Sequence, residues 1–250
     1  MDEQAMSRFR IDATLLRECV DAVLAVVDEA RLKIGEEAWK VRAVDPANVA
    51  LVDLELKRDA FDEYNTEGEA GDEKVVGVPF DKLREVLRFA VGDVSLDIGD
   101  DKIALQSSAY AYTLSLLDPS SLRAEPKIPE LEFSTRVVVD ADDFKKVLKA
   151  AEKISDQIAI GVQNNTFFVE AEEDMETMQY SLHKDELMHL SGSDCRSLFS
   201  LEYLAAMAKG ISSETLTLFI GTDYPLKMEF EIADGNGKVV YMLAPRIEAE

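Results

Sequence analysis

Histidine, cysteine, glycine, proline and long apolar runs are all scarce in this chain, and each scarcity removes a class of protein. The histidines are His183 and His189, and the cysteines are Cys19 and Cys195. Neither histidine has a partner at metal-ligand spacing, and two cysteines this far apart form no zinc knuckle or C-x-x-C pair. Cys19 falls on the apolar stripe of a helix, the setting of a buried, reduced thiol, which points to a reducing, cytoplasmic compartment. Twelve glycines and seven prolines in 250 residues exclude collagen-like and low-complexity chains. There is no G-x-S-x-G, no glycine-rich phosphate loop and no dinucleotide fingerprint. No apolar run approaches the ~20 residues of a membrane span. Met1-Asp2-Glu3-Gln4-Ala5-Met6 lacks the apolar core of a signal peptide and reads as a short frayed extension, with Met6 as an alternative start. Positive charge is short as well: 27 basic against 50 acidic side chains, a formal net charge of −23. A surface with that average does not coat nucleic acid, so any DNA contact requires a segregated basic face.

What is present is ample core material, 47% hydrophobic against 31% charged residues. The length suits one large β-rich domain or two of ordinary size. Ile11, Leu15, Leu16, Cys19, Val23, Val26 and Val27 recur at helical spacing behind Asp12, a good N-cap. The period then changes to two. Leu32 and Ile34, then Trp39, Val41 and Ala43, alternate with charged residues, and 49–56 reads as a further strand. Trp39 is expected in the core. Residues 62–73 are polar and suit a loop. A second helix is expected over 79–90, a hairpin through Gly99-Asp100-Asp101, and a strand over 110–117. Residues 118–133 hold Pro119, Pro126 and Pro129 and read as a semi-rigid linker.

After the linker the pattern restarts. Asp142 or Asp143 is expected to cap a helix bearing Phe144, Val147, Leu148, Ala151 and Ile154. Strands follow at 158–162, 167–171 and near 175–182, with Asn164-Asn165 at a turn. A last helix over 201–209 precedes strands at 215–220, 227–232 and 239–243, the final pair joined by Asp234-Gly235-Asn236-Gly237. A shift of 128 places Asp12 on Asp140, Asp28 on Asp156, Leu32 on Ile160, Trp39 on Phe167 and Val41 on Val169. Helix-then-strands therefore occurs twice in each half. The expected class is α+β: two similar domains, each with two helix-plus-antiparallel-strand units, over 1–117 and 135–250, joined by a linker at 118–134.

The acidic run Glu172-Glu173-Asp174-Met175-Glu176 offers a hard cation some oxygens, but a solvated hairpin end explains it more simply. No constellation joins nucleophile, base and oxyanion donor, so an enzyme is not expected, and no cofactor or metal is called for. Positive charge concentrates instead on the helices. Lys146, Lys149 and Lys153 share one face opposite the apolar stripe. Lys82, Arg84 and Arg88 lie on the second helix, and Arg17 and Lys209 on the other two. One such helix alone suggests only a solvated face. Four equivalent helices on one side would add into a basic surface able to hold a polyanion by its phosphates.

Taken with this repeat, Arg42-Ala43-Val44-Asp45-Pro46-Ala47-Asn48-Val49-Ala50-Leu51, Ile128-Pro129 in the linker and Tyr241-Met242-Leu243-Ala244-Pro245-Arg246-Ile247-Glu248 resemble the sliding DNA clamps of the proliferating cell nuclear antigen family, archaeal members especially. The resemblance runs from about Arg8 to Glu250. It implies the clamp fold, closed by three subunits into a ring around duplex DNA. It implies no catalysis: the ring tethers polymerase, flap nuclease and DNA ligase through short peptides, and a separate loader opens it. The first helix departs from the family's pattern, since Arg17 is answered by Glu18, Asp21 and Asp28, and Leu24 stands where many members carry lysine. The resemblance places a partner groove at Val44, Val49, Leu51, Ile128, Pro129, Pro225, Met242, Ala244 and Pro245, suited to a peptide presenting one aliphatic and two aromatic residues on a helical turn beside a glutamine. Tyr110, Tyr112, Leu114 and Leu116 on one strand, and Met178 and Tyr180 on another, would be an aggregation hazard as bare edges, and head-to-tail pairing between copies hides both. The leading expectation is a homotrimeric, sequence-independent clamp. The alternatives are one subunit of a heterotrimeric clamp, or an acidic, salt-adapted enzyme whose repeat reflects packing alone.

Overall fold

The computed structural model describes residues 6–67, 73–128 and 130–247. Pro129, Glu248, the N-terminal residues 1–5 and residues 68–72 of the polar loop lie outside that set. The first half of the chain forms β1 (Ser7–Asp12), α1 (Ala13–Leu24), β2 (Glu29–Ile34), β3 (Ala38–Val44), β4 (Ala50–Lys57), β5 (Glu63–Asn65), β6 (Lys74–Pro79), α2 (Phe80–Leu87), β7 (Asp93–Ile98), β8 (Lys102–Ser107) and β9 (Tyr110–Ser115). The second half forms β10 (Thr135–Asp140), α3 (Ala141–Ala151), β11 (Gln157–Gln163), β12 (Thr166–Glu173), β13 (Glu176–His183), β14 (His189–Gly192), β15 (Cys195–Ser200), α4 (Leu201–Lys209), β16 (Thr215–Ile220), β17 (Leu226–Ile232) and β18 (Gly237–Leu243). The expected α+β class is the one observed.

The repeat holds at the level of single residues. A shift of 128 carries β1 onto β10 end to end and the start of α1 onto the start of α3. Asp12 caps α1 as expected, its Oδ1 accepting from Thr14 N at 2.6 Å. The α3 cap differs from the local reading: Asp140, not Asp142 or Asp143, accepts from Asp143 N at 2.9 Å. Asp142 and Asp143 occupy the first turn instead, where a carboxylate suits the positive end of the helix dipole.

Each helix follows directly on a strand: β1, β6, β10 and β15 run straight into α1, α2, α3 and α4. Sequence periodicity missed these four strands, because each is six residues long and merges with the apolar stripe of the helix it precedes. Ile11 is the case in point. Its spacing suits the stripe of α1, but it belongs to β1, fully buried beside Phe9. Inside the polar loop, β5 pairs with β1, and Tyr64 supplies its one apolar anchor, 5.0 Å from the Phe9 ring centroid. The last hairpin turns one residue earlier than expected, through Ala233, Asp234 and Gly235, all with left-handed φ.

The chain divides into two compact units built from interleaved pieces. Unit 1 holds Met1–Val44, Val52–Pro126 and Glu231–Val239; unit 2 holds Asp45–Leu51, Lys127–Phe230 and Val240–Glu250. In unit 1 an antiparallel sheet runs β5-β1-β7-β8-β9 and a second series runs β4-β3-β2-β6. Helices α1 and α2 pack together, burying Leu16, Cys19, Val20 and Val23 from one and Phe80, Leu83 and Leu87 from the other. Burial pushes the Cys19 thiol far up, in keeping with an inert core cysteine. Trp39 is buried as expected, edge-on to Phe9 at 4.8 Å. In unit 2 the matching series are β14-β10-β16-β17 and β13-β12-β11-β15, with α3 packed on α4. Here Phe167 takes the place of Trp39 and is fully buried.

The linker is anchored at both ends. Asp118 caps a short 3-10 turn, Pro119–Ser121. Arg31 then donates to the Leu122 carbonyl at 2.9 Å, while Lys33 and Arg42 both pair with Glu125, all within unit 1. In unit 2 Phe133 packs against Phe219 and Tyr224.

Candidate functional site

Three surfaces carry the residues singled out from the sequence. The first is the exposed face of the helices. On α2, Lys82 and Arg84 project away from buried Leu83 and Leu87, with Arg88 exposed just beyond. On α3, Lys146 and Lys149 are exposed, as is Lys153 beyond its end, and Lys209 is exposed at the end of α4. Their electrostatic freedom is unequal. Arg84 forms an ion pair with Asp21 of α1. Lys146 pairs with Asp143 at 2.8 Å, and that carboxylate raises the lysine's pKa. Arg17 points into the fold: its guanidinium donates to the carbonyls of Leu87 at 2.9 Å and Ala90 at 3.0 Å, closing the C-terminal end of α2. Lys82, Arg88, Lys149, Lys153 and Lys209 have no ion-pair partner among the described residues.

The summed charge departs from the expected basic stripe. The four helices carry Arg17, Lys82, Arg84, Lys145, Lys146, Lys149 and Lys209 against Glu18, Asp21, Asp81, Glu85, Asp142, Asp143 and Glu202, seven of each sign. Unit 1 has three basic against four acidic residues within its helices and unit 2 four against three, with Arg88 and Lys153 just beyond the helix ends, so neither set of helices is strongly basic. Against a chain of net charge −23, balance is still a marked local relief from repulsion of a polyanion.

The second surface is a pair of strand edges. β9 is the outer strand of its sheet, paired to β8 in the register Leu105↔Tyr112 and Ile103↔Leu114. β13 is likewise outermost, paired to β12 with Ala171↔Met178 and Val169↔Tyr180. Tyr110 is exposed and stacks near-parallel on Tyr112, 6.4 Å apart; Tyr112, Leu114, Leu116, Met178 and Tyr180 are half-exposed. Among the described residues neither strand has a neighbour on its outer side. The repeat counterpart of β9, strand β18, does have one. Residues of β18 lie beside β4, the counterpart of β13. In unit 1 a methyl on Gly237 would come within 3.2 Å of the Glu55 carbonyl, and in unit 2 Ala244 N donates to Val49 O at 2.9 Å.

The third surface gathers pieces of unit 2. That last hydrogen bond brings Val49 and Ala244 together, with Met242 two residues back on β18 and Pro225 just before β17, the strand next to β18. Leu51 is buried, whereas Val49, Ile128, Pro225, Met242, Ala244 and Pro245 are half-exposed. Val44 is half-exposed at the end of β3 and belongs to unit 1. Arg246 N donates to Leu198 O at 2.7 Å, pinning the segment after Pro245.

The loop that bears Val49 turns at Asn48, in the left-handed region at φ 59°. It is organised by a residue not singled out from the sequence. The carboxylate of Asp45, 4% exposed, accepts from Ala47 N at 3.1 Å, Val49 N at 2.7 Å, Ala50 N at 2.8 Å and the Tyr203 hydroxyl at 2.9 Å. Burial pushes this carboxyl up, but the bonds from Ala50, Val49, Tyr203 and Ala47 outweigh it and leave it below the usual carboxylate range. An Asp before Pro and Asn is a recognisable turn signal. Nothing in the sequence marks Tyr203. Among the described residues no group of three or more His, Cys, Asp or Glu is placed to hold a metal ion, and no helix is long and apolar enough to cross a membrane.

Comparison with known proteins agrees along the whole chain. Residues 6–117 match the family model of the proliferating cell nuclear antigen N-terminal domain, and residues 127–246 match that of the C-terminal domain. A DNA polymerase sliding clamp of Methanococcoides burtonii is 42% identical over 250 residues, spanning 98% of this chain and 100% of the relative. One from Natronomonas pharaonis is 39% identical, spanning 96% and 98%. Among solved structures, A. fulgidus PCNA bound to the C-terminal region of FEN-1 superposes with a TM-score of 0.91 at 36% identity, over 98% of this chain and 100% of that one. The PCNA2–PCNA3 complex of Sulfolobus tokodaii gives 0.81 at 25% identity, over 96% and 100%.

Proposed function

The chain belongs to the proliferating cell nuclear antigen family, and from that premise we propose that it is a DNA polymerase sliding clamp, a non-catalytic ring of three copies that encircles duplex DNA and tethers the enzymes working on it. The observation that carries this reading is the pair of bare edges. Within each unit, residues of β18 lie beside residues of β4, and β9 and β13 are their repeat counterparts, without an outer neighbour among the described residues. Joining β9 of one copy to β13 of the next repeats a contact that the chain already makes. Such a head-to-tail interface closes when the rotation per copy divides the circle. On this reading the chain is two clamp domains, 1–117 and 135–250, with the linker at 118–134 between them.

Duplex DNA is met by the helix faces, through phosphates and without base readout, which sliding requires. Lys82, Arg88, Lys149, Lys153 and Lys209 are the leading contacts; Arg84 and Lys146 contribute as members of ion pairs, and Arg17 chiefly by bracing α1 on α2. The groove of Val49, Leu51, Ile128, Pro225, Met242, Ala244 and Pro245 receives peptide tails of polymerase, clamp loader, flap nuclease and ligase. The A. fulgidus relative, solved with a FEN-1 tail, supports the nuclease among these. No cofactor is needed, and the protein works where the DNA is, in the cytoplasm.

Light scattering on the purified chain tests the reading. A mass of three chains is expected, falling to one in the Tyr112→Glu, Met178→Glu double variant. An unchanged trimer in that variant would refute the β9–β13 pairing. A wild-type mass below three would favour the second reading, a subunit of a mixed ring of the kind that the S. tokodaii PCNA2–PCNA3 complex suggests.

A further inference from the structure

Within unit 2, the turn at 45–49 and the first residues of β4 carry two residues of the proposed groove, Val49 and Leu51. Four donors converge on the Asp45 carboxylate, three of them backbone N–H groups of the loop itself. Those three shape the loop, which Val49 O also ties to Ala244 N at 2.9 Å. The fourth, the Tyr203 hydroxyl, comes from α4, 158 residues along the chain. It fixes the shaped loop to a helix whose Leu201, Leu204, Met207 and Ala208 are buried in the core. We propose that Tyr203 is a positioning residue for partner capture: its hydroxyl holds the 45–51 segment at the height and angle at which half-exposed Val49 meets a partner's apolar side chains. The role rests on the reading of this groove as the peptide-docking site. On this reading Tyr203 acts on affinity through Asp45.

The chemistry of the bond makes the role separable from mere folding. Tyr203→Phe keeps the ring and its packing and removes one oxygen. Asp45 then keeps its three N–H donors, so the loop stays closed but is no longer fastened to α4. Pre-organisation of a docking surface is lost while the fold is kept. Asp45→Asn weakens the same bond from the other side and loosens the loop's own turn as well.

The test is calorimetry on the full-length protein, with a synthetic peptide carrying one aliphatic and two aromatic residues on a helical turn beside a glutamine. Tyr203→Phe should bind about tenfold more weakly, the scale of one hydrogen bond to a charged acceptor. The affinity lost on Tyr203→Phe should be smaller in an Asp45→Asn background than in the wild type, because both changes act on the same bond. Amide exchange at Val49 and Ala50 should quicken in Tyr203→Phe, with the thermal midpoint and trimer mass unchanged. Wild-type affinity in Tyr203→Phe, or a loss accompanied by faster exchange throughout unit 2, would overturn the positioning role and leave the groove standing. Wild-type affinity in a Leu51→Ser, Ile128→Ser variant would overturn the groove, and the role of Tyr203 with it.

Discussion

At the scale of single residues, the chain uses charge to shape its own backbone as much as to meet a partner. Arg17 and Asp45 show it from opposite signs. Arg17, placed by its sequence among the phosphate contacts, closes the end of α2 through two carbonyls. Asp45, inconspicuous in an acidic chain, organises the loop 45–51 through four donors. Its lowered pKa fixes how that loop responds to acid. The carboxylate's contribution is complete above the ordinary aspartate value of 3.8 and is lost only as pH falls through the lower value that the folded protein imposes. The Ala50 amide proton, bonded to Oδ1, should therefore titrate in NMR with a midpoint below 3.8, and a midpoint above it would contradict the four-donor site.

At the scale of elements, the helices divide their basic residues into paired and unpaired sets, and the two should differ in function. Lys149 stands without an ion-pair partner among the described residues, whereas Lys146 shares its charge with Asp143. Lys149→Ala should lower the salt dependence of clamp–DNA association by about one unit of log–log slope, as expected for one lost phosphate contact. Lys146→Ala should lower it by less. Equal effects would mean that the Lys146–Asp143 pair opens on DNA. This difference was not legible in the sequence, where Lys146, Lys149 and Lys153 share one face and look alike. The helices themselves were legible, since three-to-four spacing of Leu15, Leu16, Cys19 and Val23 has no other economical reading. The strands β1, β6, β10 and β15 were not, because a six-residue strand abutting an amphipathic helix has its two-residue period swallowed by the longer pattern. The repeat register held information that local reading set aside: it put Asp140 opposite Asp12, and Asp140 is the cap. Tyr203 could not be found from sequence, because a tyrosine on a helix carries no mark of a partner 158 residues away.

At the scale of the whole molecule, the net charge of −23 and the balanced helix faces act together. Like charge keeps rings apart from one another and from bare nucleic acid, while the helical faces lower the repulsion where a duplex must pass. Assembly follows the same economy. Strands β9 and β13 expose main-chain donors and acceptors that water would satisfy in a monomer, and in the proposed ring a neighbouring copy would satisfy them.

The seven-against-seven charge balance of the helices also bears on how fast a ring can travel. A ring threaded on a duplex diffuses over a periodic potential whose wells are phosphate positions, and the roughness of that potential sets the friction. If the helix faces meet DNA as proposed, pairs such as Arg84–Asp21 and Lys146–Asp143 would let a cation lean toward a phosphate while its carboxylate stays close, so that each well would be shallow and escape from it quick. Asp21→Lys would free Arg84 and add a charge beside it, deepening every well that α1 and α2 pass over. Single-molecule tracking should show this variant diffusing more slowly along DNA than the wild-type ring, with the two converging at high salt. Equal mobility at low salt would mean that these pairs do not face the duplex. In such a ring the acidic residues of the helices would serve as a lubricant, holding the affinity for DNA low enough that topology alone keeps the ring on.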